Sequence, residues 1–244
     1  MSSRTRTEEF RALHRRPGPG DPLVIPNVWD AVSARVFADA GHPVLATSSA
    51  AVAAVLGYDD GGAAPADEVF EALARIIRAV DVPVTVDIED GYGLAPAKIV
   101  ERLLGVGAVG CNLEDTDHAS GKLKDAREHA DWLGEFVAAA EGRVVLNARV
   151  DTFLHGASDA EEAIGRGRLY AEAGADVVYP ILAPAELLPE LAKGIPAPLN
   201  ALYLPNGPTP AELGRLGAAR VTFGGGLHQR AEAALTEIAR TLPV

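Results

Sequence analysis

The sequence VPVTVDIEDGYG, residues 82–93, joins an apolar β-type run to three acids and a Gly-x-Gly turn. Alternation along a strand puts Thr85, Asp87 and Glu89 on one side and the apolar residues on the other. Two carboxylates on the same side of a strand end repel each other, so this pattern favours a bound cation. Oxygen ligands favour Mg²⁺ or Mn²⁺ over zinc. At this point an acidic loop without a ligand remains the alternative.

Around this stretch, short β-type runs alternate with longer helical patterns. Strands are predicted at residues 23–26, 44–47, 83–88, 108–114, 143–149, 176–179, 197–202 and 220–223. Helices are predicted at residues 29–40, 49–56, 65–80, 96–104, 125–140, 159–173, 184–193, 210–216 and 227–240. A further helix at 5–16 precedes the first strand and is closed by the Pro-Gly-Pro-Gly sequence at 17–20.

Eight strands, each followed by a helix, imply a parallel sheet. The count of eight predicts an α/β fold of the closed (β/α)₈ TIM type, with one barrel domain over residues 1–244 and an N-terminal helical extension over residues 1–20. An open Rossmann sheet is the alternative. It lacks support, because no Gly-x-Gly-x-x-Gly follows the first strand.

Length and composition agree with this interpretation and narrow the function. The chain has 244 residues, close to the size of a typical barrel, and 48% of them are hydrophobic. A net charge of −12 argues against nucleic acid and an anionic membrane surface as partners. One cysteine, no apolar leader and no run of about 18 apolar residues lead us to expect a cytoplasmic protein.

Barrel enzymes build their sites from the loops at the carboxyl ends of the strands. The candidates delivered there are Thr47, Ser48 and Ser49 after the second strand, Asp59 and Asp60 in the following loop, Asp87 and Glu89 after the third, Glu114 and Asp115 after the fourth, and Arg149 and Asp151 after the fifth. Acids from three successive strands and one arginine at the same rim argue against chance clustering. The helix after Thr47 adds free N–H groups that could hold an anion. Asn200, which ends the seventh strand, could also face a substrate.

Eight short pieces of the sequence carry a family resemblance through their joint order. They are NVWD at 27–30, TSS at 47–49, GYDDG at 57–61, VDIEDGYG at 86–93, GCNLED at 110–115, NARVD at 147–151, AGAD at 173–176 and VTFG at 221–224. In this order they resemble the isocitrate lyase/phosphoenolpyruvate mutase superfamily over roughly residues 23 to 230. The resemblance implies a (β/α)₈ barrel that binds Mg²⁺ and a small 2-oxo acid or its enolate, in a homo-oligomer such as a dimer or tetramer.

The resemblance also implies roles for single residues. The acid matching Asp87 ligates the metal, and those matching Asp60, Glu89 and Glu114 act directly or through metal-bound waters. Asp60 is preferred to its neighbour because it precedes Gly61 in the family pattern.

Two further elements match substrate-binding parts of the family. The turn containing Ser48 and Ser49 would bind the carboxylate or oxo group of the substrate. Arg149 matches the arginine that holds the anionic end of the substrate, and its charge would stabilise negative charge that develops during cleavage.

The loop after the fourth strand departs from the family. The lyases carry Lys-(Lys/Arg)-Cys-Gly-His there and the mutase carries Lys-Thr-Asn, whereas residues 115–124 of this chain read DTDHASGKLK. Cys111 lies inside the strand at the opposite parity from Glu114, so we expect it in the helix layer. His118 could supply the missing acid or base, since its pKa lies near neutral. A surface histidine without a role is the alternative.

Three functions remain open from the sequence. The first is Mg²⁺-dependent carbon–carbon lysis of a small 2-oxo acid, or a related 2-hydroxy acid, through a metal-stabilised enolate. The second is hydrolysis or decarboxylation of an oxaloacetate- or phosphonopyruvate-like substrate at the same site. The third is a 2-oxo-acid-binding protein without catalytic activity.

Overall fold

The computed structural model describes residues 3–15 and 20–243. Residues 16–19, where most of the predicted Pro-Gly-Pro-Gly stop falls, lie outside the described residues, as do residues 1–2 and 244. Within residues 3–15 and 20–243, no helix has both the length and the apolar character that crossing a membrane requires.

All eight predicted strands are present, and the first is divided into two short pieces. The strands are β1 (Leu23–Val24), β2 (Asn27–Val28), β3 (Leu45–Thr47), β4 (Val84–Asp87), β5 (Gly110–Glu114), β6 (Thr116–Asp117), β7 (Lys122–Leu123), β8 (Val145–Val150), β9 (Val177–Pro180), β10 (Leu199–Leu202) and β11 (Ala218–Thr222). The short pair β6 and β7 was not predicted.

The helices also follow the predicted order, with ends that shift by a few residues. They are α1 (Ser3–Leu13), α2 (Ala31–Asp39), α3 (Ser49–Leu56), α4 (Ala66–Ile77), α5 (Pro96–Val106), α6 (Ala126–Ala140), α7 (Glu161–Glu172), α8 (Leu188–Gly194), α9 (Pro210–Arg215) and α10 (Gly226–Thr241). A 3₁₀ turn at Ala185–Leu187 leads into α8.

The parallel strands form one sheet in the order β1-β11-β10-β9-β8-β5-β4-β3-β2. Its two outer strands, β1 and β2, are consecutive pieces of the same segment. Ile25 donates its N–H to the carbonyl of Val221 at 2.9 Å, and the Pro26 carbonyl accepts the N–H of Ala46 at 3.0 Å. The segment thus pairs with the last strand and then with β3, which closes the sheet into a (β/α)₈ barrel. Pro26 lacks an N–H, which suits the point where the partner changes.

Strand residues of one parity face the helix layer, as alternation predicts. Val84 and Val86 of β4 pack in the large core cluster with Cys111 and Leu113 of β5. Cys111 is fully buried there. The expectation that this cysteine packs in the core, away from the rim, is therefore confirmed.

The amino-terminal end of the barrel is filled by a second apolar cluster. It contains Phe10 of α1 together with Leu23, Ile25, Val44, Ala46, Val109 and Val145. Gly110 allows Phe10 to approach, because a Cβ at this glycine would lie 3.0 Å from the Phe10 ring and 2.8 Å from the Val145 carbonyl oxygen. Arg11 fixes the same helix through a 2.6 Å contact with the carboxylate of Asp176. The leading helix therefore closes the barrel end opposite the predicted site.

The β6–β7 hairpin lies in the connection between β5 and α6. It is antiparallel, with Thr116 opposite Leu123 and Asp117 opposite Lys122. The predicted loop after the fourth strand is thus an ordered hairpin whose turn carries His118. Strands of two residues leave no periodicity in the sequence, which is why the hairpin escaped prediction.

The apolar cluster around Phe10, at the amino-terminal end of the barrel, gives a stability prediction. Phe10→Ala should lower the free energy of unfolding by about 3 to 5 kcal/mol, because it empties a site that is 1% exposed. Urea denaturation followed by circular dichroism measures this change. Glu9→Ala, on the exposed face of the same helix, is the control and should change the free energy by less than about 0.5 kcal/mol. Equal stability of the Phe10 variant and wild type would show that α1 is not docked.

Candidate active site at the carboxyl ends of the strands

Asp87 ends β4 and is held by neighbours on three sides. Its N–H donates to Oγ1 of Thr47 at 2.9 Å. Its Oδ2 accepts from the Asn112 amide at 3.0 Å, and its Oδ1 accepts from the N–H of Glu89 at 3.2 Å. Asn112 is in turn oriented by the amide of Asn147 at 2.8 Å. The partly buried Asp87 carboxylate therefore has a fixed orientation.

Asn112 and Asn147 were not singled out from the sequence, although a signal for them exists. Asn112 lies two residues before Glu114, and Asn147 lies two residues before Arg149. That spacing places each asparagine on the same strand face as a predicted site residue. Buried asparagines directly below a predicted rim are candidates to support the side chains above them.

Glu89 reaches the rim by a different route from the one alternation suggests. β4 ends at Asp87, and Glu89 takes a left-handed conformation with φ of 51°. Its carboxylate contacts the N–H of Gly62 and accepts from the Tyr92 hydroxyl at 3.2 Å. It is only 2% exposed. The predicted location is correct, but the backbone turn, held by its surroundings at some cost in strain, produces it.

Arg149, at the rim end of β8, is gripped by two acids. Its Nε and Nη2 donate to the two carboxylate oxygens of Asp151 at 2.6 and 2.9 Å. Its Nη2 also pairs with the carboxylate of Glu114. The guanidinium is thereby the positive partner of the acids at this end of the barrel.

His118 lies over the acids on the turn of the hairpin. Its Nε2 contacts Oε1 of Glu114 and lies 3.5 Å from Oε2 of Glu89. The ring packs against the loop containing Gly61 and Gly62. The Glu114 carboxylate raises the pKa of His118 above its usual value. The structure thus brings this residue to the predicted site, and its role as an acid or base stays a prediction.

The remaining candidates differ in their surroundings. Ser48 caps α3, with its Oγ accepting from the Ala51 N–H at 3.4 Å, and both Ser48 and Ser49 are buried. Asp60 lies on an exposed loop and raises the pKa of Glu89 through its charge. Asn200 is fully buried in the barrel, and its amide donates to Oγ1 of Thr222 at 3.0 Å.

The acids at the rim are electrostatically coupled. Burial and the charges of Asp60, Asp87 and Glu114 raise the pKa of Glu89 to about 7. Burial likewise raises the pKa values of Asp87 and Glu114, although Arg149 opposes the shift in both. Each carboxyl is thus harder to ionise than usual, and a positive charge placed among them would favour the ionised forms.

The geometry of this cluster fits a divalent cation. In the part of the chain that the structure describes, Glu89, Glu114 and His118 each offer a ligand atom, and these atoms all lie within 4.8 Å of one another. Asp87 lies beside this group. Carboxylate oxygens are the ligands that Mg²⁺ and Mn²⁺ prefer.

A family model and two known relatives match most of this chain. The family model described as phosphoenolpyruvate phosphomutase matches residues 10–242. 2-Methylisocitrate lyase of Bacillus subtilis is 33% identical over 211 residues, which cover 82% of this chain and 68% of the relative. Oxaloacetate decarboxylase of Bradyrhizobium diazoefficiens is 31% identical over 221 residues, which cover 82% of this chain and 75% of the relative.

A solved structure extends the likeness to the fold. It is a crystal structure of a Burkholderia cenocepacia protein for which phosphonomutase activity has been suggested. The two structures superimpose with a TM-score of 0.88 at 39% sequence identity, and the match covers 97% of this chain and 99% of that protein.

The raised pKa of Glu89 predicts a pH-dependent stability. The carboxyl ionises near 4.5 in the unfolded chain and near 7 in the folded protein. The stabilising contribution of Glu89 to the free energy of unfolding is therefore complete below pH 4.5 and is lost as the pH rises through about 7. With a chelator present, Glu89→Gln should match wild type at pH 4 and exceed its free energy of unfolding by about 2 to 3 kcal/mol at pH 8.

Urea denaturation at the two pH values tests this prediction. Glu172→Gln, an exposed position on α7, is the control and should follow wild type at both. A Glu89→Gln variant that is no more stable than wild type at pH 8 would contradict the coupling.

Proposed function

The chain belongs to the phosphoenolpyruvate phosphomutase family of the isocitrate lyase/phosphoenolpyruvate mutase superfamily, and we propose that it is a Mg²⁺-dependent carbon–carbon lyase. Its substrate would be a small 2-oxo acid, or a related 2-hydroxy acid, that cleaves through an enolate. One observation carries this proposal: the acids Asp87, Glu89 and Glu114 converge with Arg149 at the carboxyl end of the barrel.

We assign the metal to Asp87, Glu89, Glu114 and Asp60. The fit is supported by the oxygen donors and by the raised pKa values of the first three acids, which a nearby positive charge would reverse. When bound, Mg²⁺ supplies positive charge that stabilises an enolate oxygen. Asn112 and the N–H of Glu89 orient the Asp87 carboxylate for this role.

We assign the substrate's anionic groups to two donors at the rim, one after β3 and one on β8, with β4 and β5 between them. The first is the N-terminus of α3, where Ser49 offers a backbone N–H and the Ser48 hydroxyl, which accepts from Ala51, keeps its own hydrogen to donate. The second is Arg149, whose charge would stabilise the leaving fragment. Asn200 is kept as a further substrate contact.

His118 is assigned as the acid or base, together with Asp60 and Arg149 in the catalytic set. Its Nε2 faces Glu114 and Glu89, so a proton held at this nitrogen lies beside the acids that surround the proposed substrate. Within residues 115–124 no cysteine is available for this role. An imidazole titrates near neutral pH, which suits proton transfer to an enolate carbon.

Decarboxylation of oxaloacetate is the second candidate reaction. The relative from Bradyrhizobium, an oxaloacetate decarboxylase at 31% identity, favours it. The rim described above would serve both reactions, since each leaves an enolate. Hydrolysis at the same site would release an acid, and a protein that only binds 2-oxo acids would release nothing.

Product analysis separates these functions. The protein is incubated with Mg²⁺ and, in turn, 2-methylisocitrate, substituted malates, oxaloacetate and phosphonopyruvate. A 2-oxo acid together with a second carbonyl or carboxylic acid fragment would support lysis. Release of CO₂ from oxaloacetate would support decarboxylation, and release of oxalate with acetate, or of phosphate from phosphonopyruvate, would support hydrolysis. Calorimetric binding of pyruvate or oxalate without turnover of any of these compounds would contradict an enzymatic function.

The metal assignment gives the next prediction. Asp87→Ala should abolish Mg²⁺-dependent binding of oxalate, a planar dianion that resembles an enolate, because the cation loses an oriented ligand. Titration calorimetry with and without Mg²⁺ measures this loss. Asp60→Ala should weaken binding, whereas its matched control Asp59→Ala should leave it unchanged. Unaltered oxalate affinity in the Asp87 variant would contradict the assignment of the metal to this site.

We also propose that the protein self-associates through α10. None of this helix's described side chains is buried. Leu235, Ile238 and Leu242 are 65%, 56% and 61% exposed, and their spacing puts them on one face of the helix or its continuation. A second copy of the chain is the simplest cover for such a stripe, and it agrees with the expected dimer or tetramer.

Self-association is tested at this stripe. The double variant Leu235→Glu/Ile238→Glu should sediment as a monomer in analytical ultracentrifugation, whereas wild type sediments as an oligomer. Ala233→Glu, on the opposite side of the helix, is the control and should keep the wild-type mass. A monomeric wild type would end the proposal.

A further inference from the structure

The β6–β7 hairpin that carries His118 is closed at its base by one buried arginine. Asp115 precedes the hairpin and Lys124 follows it, and the Lys124 N–H donates to the Asp115 carbonyl at 2.8 Å. Nη1 of Arg166, on α7, donates to Asp115 Oδ2 at 3.1 Å and to the Lys124 carbonyl at 2.9 Å. A single nitrogen thus bonds both sides of the hairpin base.

This contact is unlike an exposed surface ion pair. Arg166 is 9% exposed and Asp115 is fully buried. The Tyr170 hydroxyl donates to the same Asp115 oxygen at 2.7 Å, and the Arg166 Nε donates to Glu162 at 3.0 Å. Removing one partner of a buried, hydrogen-bonded pair leaves the other charge uncompensated, so loss of Arg166 is expected to be costly at this position.

From Asp115 the network continues to the substrate arginine of the proposed site. Oδ1 of Asp115 accepts the N–H of Asp151 at 2.8 Å, and the Asp151 carboxylate holds Arg149 by two hydrogen bonds. Thr116, the first residue of the hairpin, donates its hydroxyl to Asp151 at 2.6 Å. The hairpin and Arg149 are therefore both held by Asp151, which is itself bonded to Asp115.

We propose that Arg166 is a positioning residue: through Asp115 it holds the hairpin with His118 over the rim and fixes Asp151 so that Arg149 points at the substrate. It is not assigned a contact with substrate or metal, and it acts from α7, in the helix layer around the strands. Its effect on the reaction rests on the proposed function, whereas its hold on the hairpin does not.

The test replaces Arg166, called the clamp below, and measures hydrogen exchange in the hairpin directly. In Arg166→Met, hydrogen exchange of the amides in residues 116–124 should accelerate about tenfold or more, the size expected from losing hydrogen bonds to a charged group. Exchange in β3 and β10 should stay at the wild-type rate. Arg168→Met, an exposed arginine on the same helix that bonds the Gly194 carbonyl, is the matched control and should leave the hairpin protected.

Two conservative variants guard against misfolding of the methionine variant. Arg166→Lys keeps the charge and should restore part of the protection. Tyr170→Phe keeps the ring, removes one hydrogen bond to Asp115 and should accelerate hairpin exchange less than Arg166→Met. Hairpin exchange at the wild-type rate in the methionine variant, or in Arg166→Lys if the methionine variant does not fold, would overturn the proposed role of Arg166. Uniform acceleration over the whole barrel would also overturn it, since that reports only global destabilisation.

A second measurement follows the consequence for binding. With Mg²⁺ present, Arg166→Met should weaken oxalate binding about tenfold in titration calorimetry, and Arg166→Lys should recover part of it. Where a substrate turns over, KM should rise because Arg149 is less well oriented, and kcat should fall because His118 is no longer held over the rim. Unchanged oxalate affinity together with a loosened hairpin would overturn the link to Arg149. If wild type binds no oxalate, the proposed function fails while the exchange result still decides the clamp.

Discussion

The site depends on the repulsion among carboxylates that the barrel forces to one end. Asp87, Glu89 and Glu114 come from neighbouring strands, and each has a raised pKa because burial and the other negative charges disfavour ionisation. An unpaired cluster of this kind opposes folding. Arg149 offsets part of the charge at Asp87 and Glu114, whereas burial and the neighbouring acids raise the pKa of Glu89 to about 7. The scaffold thus holds a charge imbalance in place, and that imbalance favours the cation that we propose for the rim.

Holding like charges together requires rigid neighbours, and neutral groups supply most of them. Thr47 accepts the N–H of Asp87, Asn112 donates to its carboxylate, and Asn147 orients Asn112, at distances of 2.8 to 3.0 Å. Amides and hydroxyls can orient a carboxylate without neutralising it. A layer of arginines or lysines in the same positions would quench the site. Neutral support therefore keeps Asp87 both oriented and available, whereas Glu114 is paired with Arg149.

Much of the fold could be predicted because its signals are local. Apolar runs that alternate with helical patterns identified all eight barrel strands, and strand parity placed Asp87 at the rim and Cys111 in the core. The rest depends on information that the sequence does not carry locally. Glu89 arrives through a left-handed turn at φ of 51°. The base of the hairpin is held by Arg166, 51 residues from Asp115 in the chain. An arginine in a helical pattern is ordinarily solvated, so nothing nearby marked this one as buried.

The division between barrel and hairpin bears on where the specificity of the reaction resides. The rim acids and Arg149 are fixed by strands, so their geometry offers a stable place for a cation and an anion. Proton transfer needs a group that approaches the reacting carbon, and the described residues bring His118 to the acids on a separate two-stranded element. That element is joined to the barrel at its base by buried contacts, among them those of Thr116 with Asp151 and of Asp115 with Arg166. If His118 transfers the proton as we propose, a change in the hairpin sequence can alter the proton donor or acceptor while the rim keeps its charge and its ligand class.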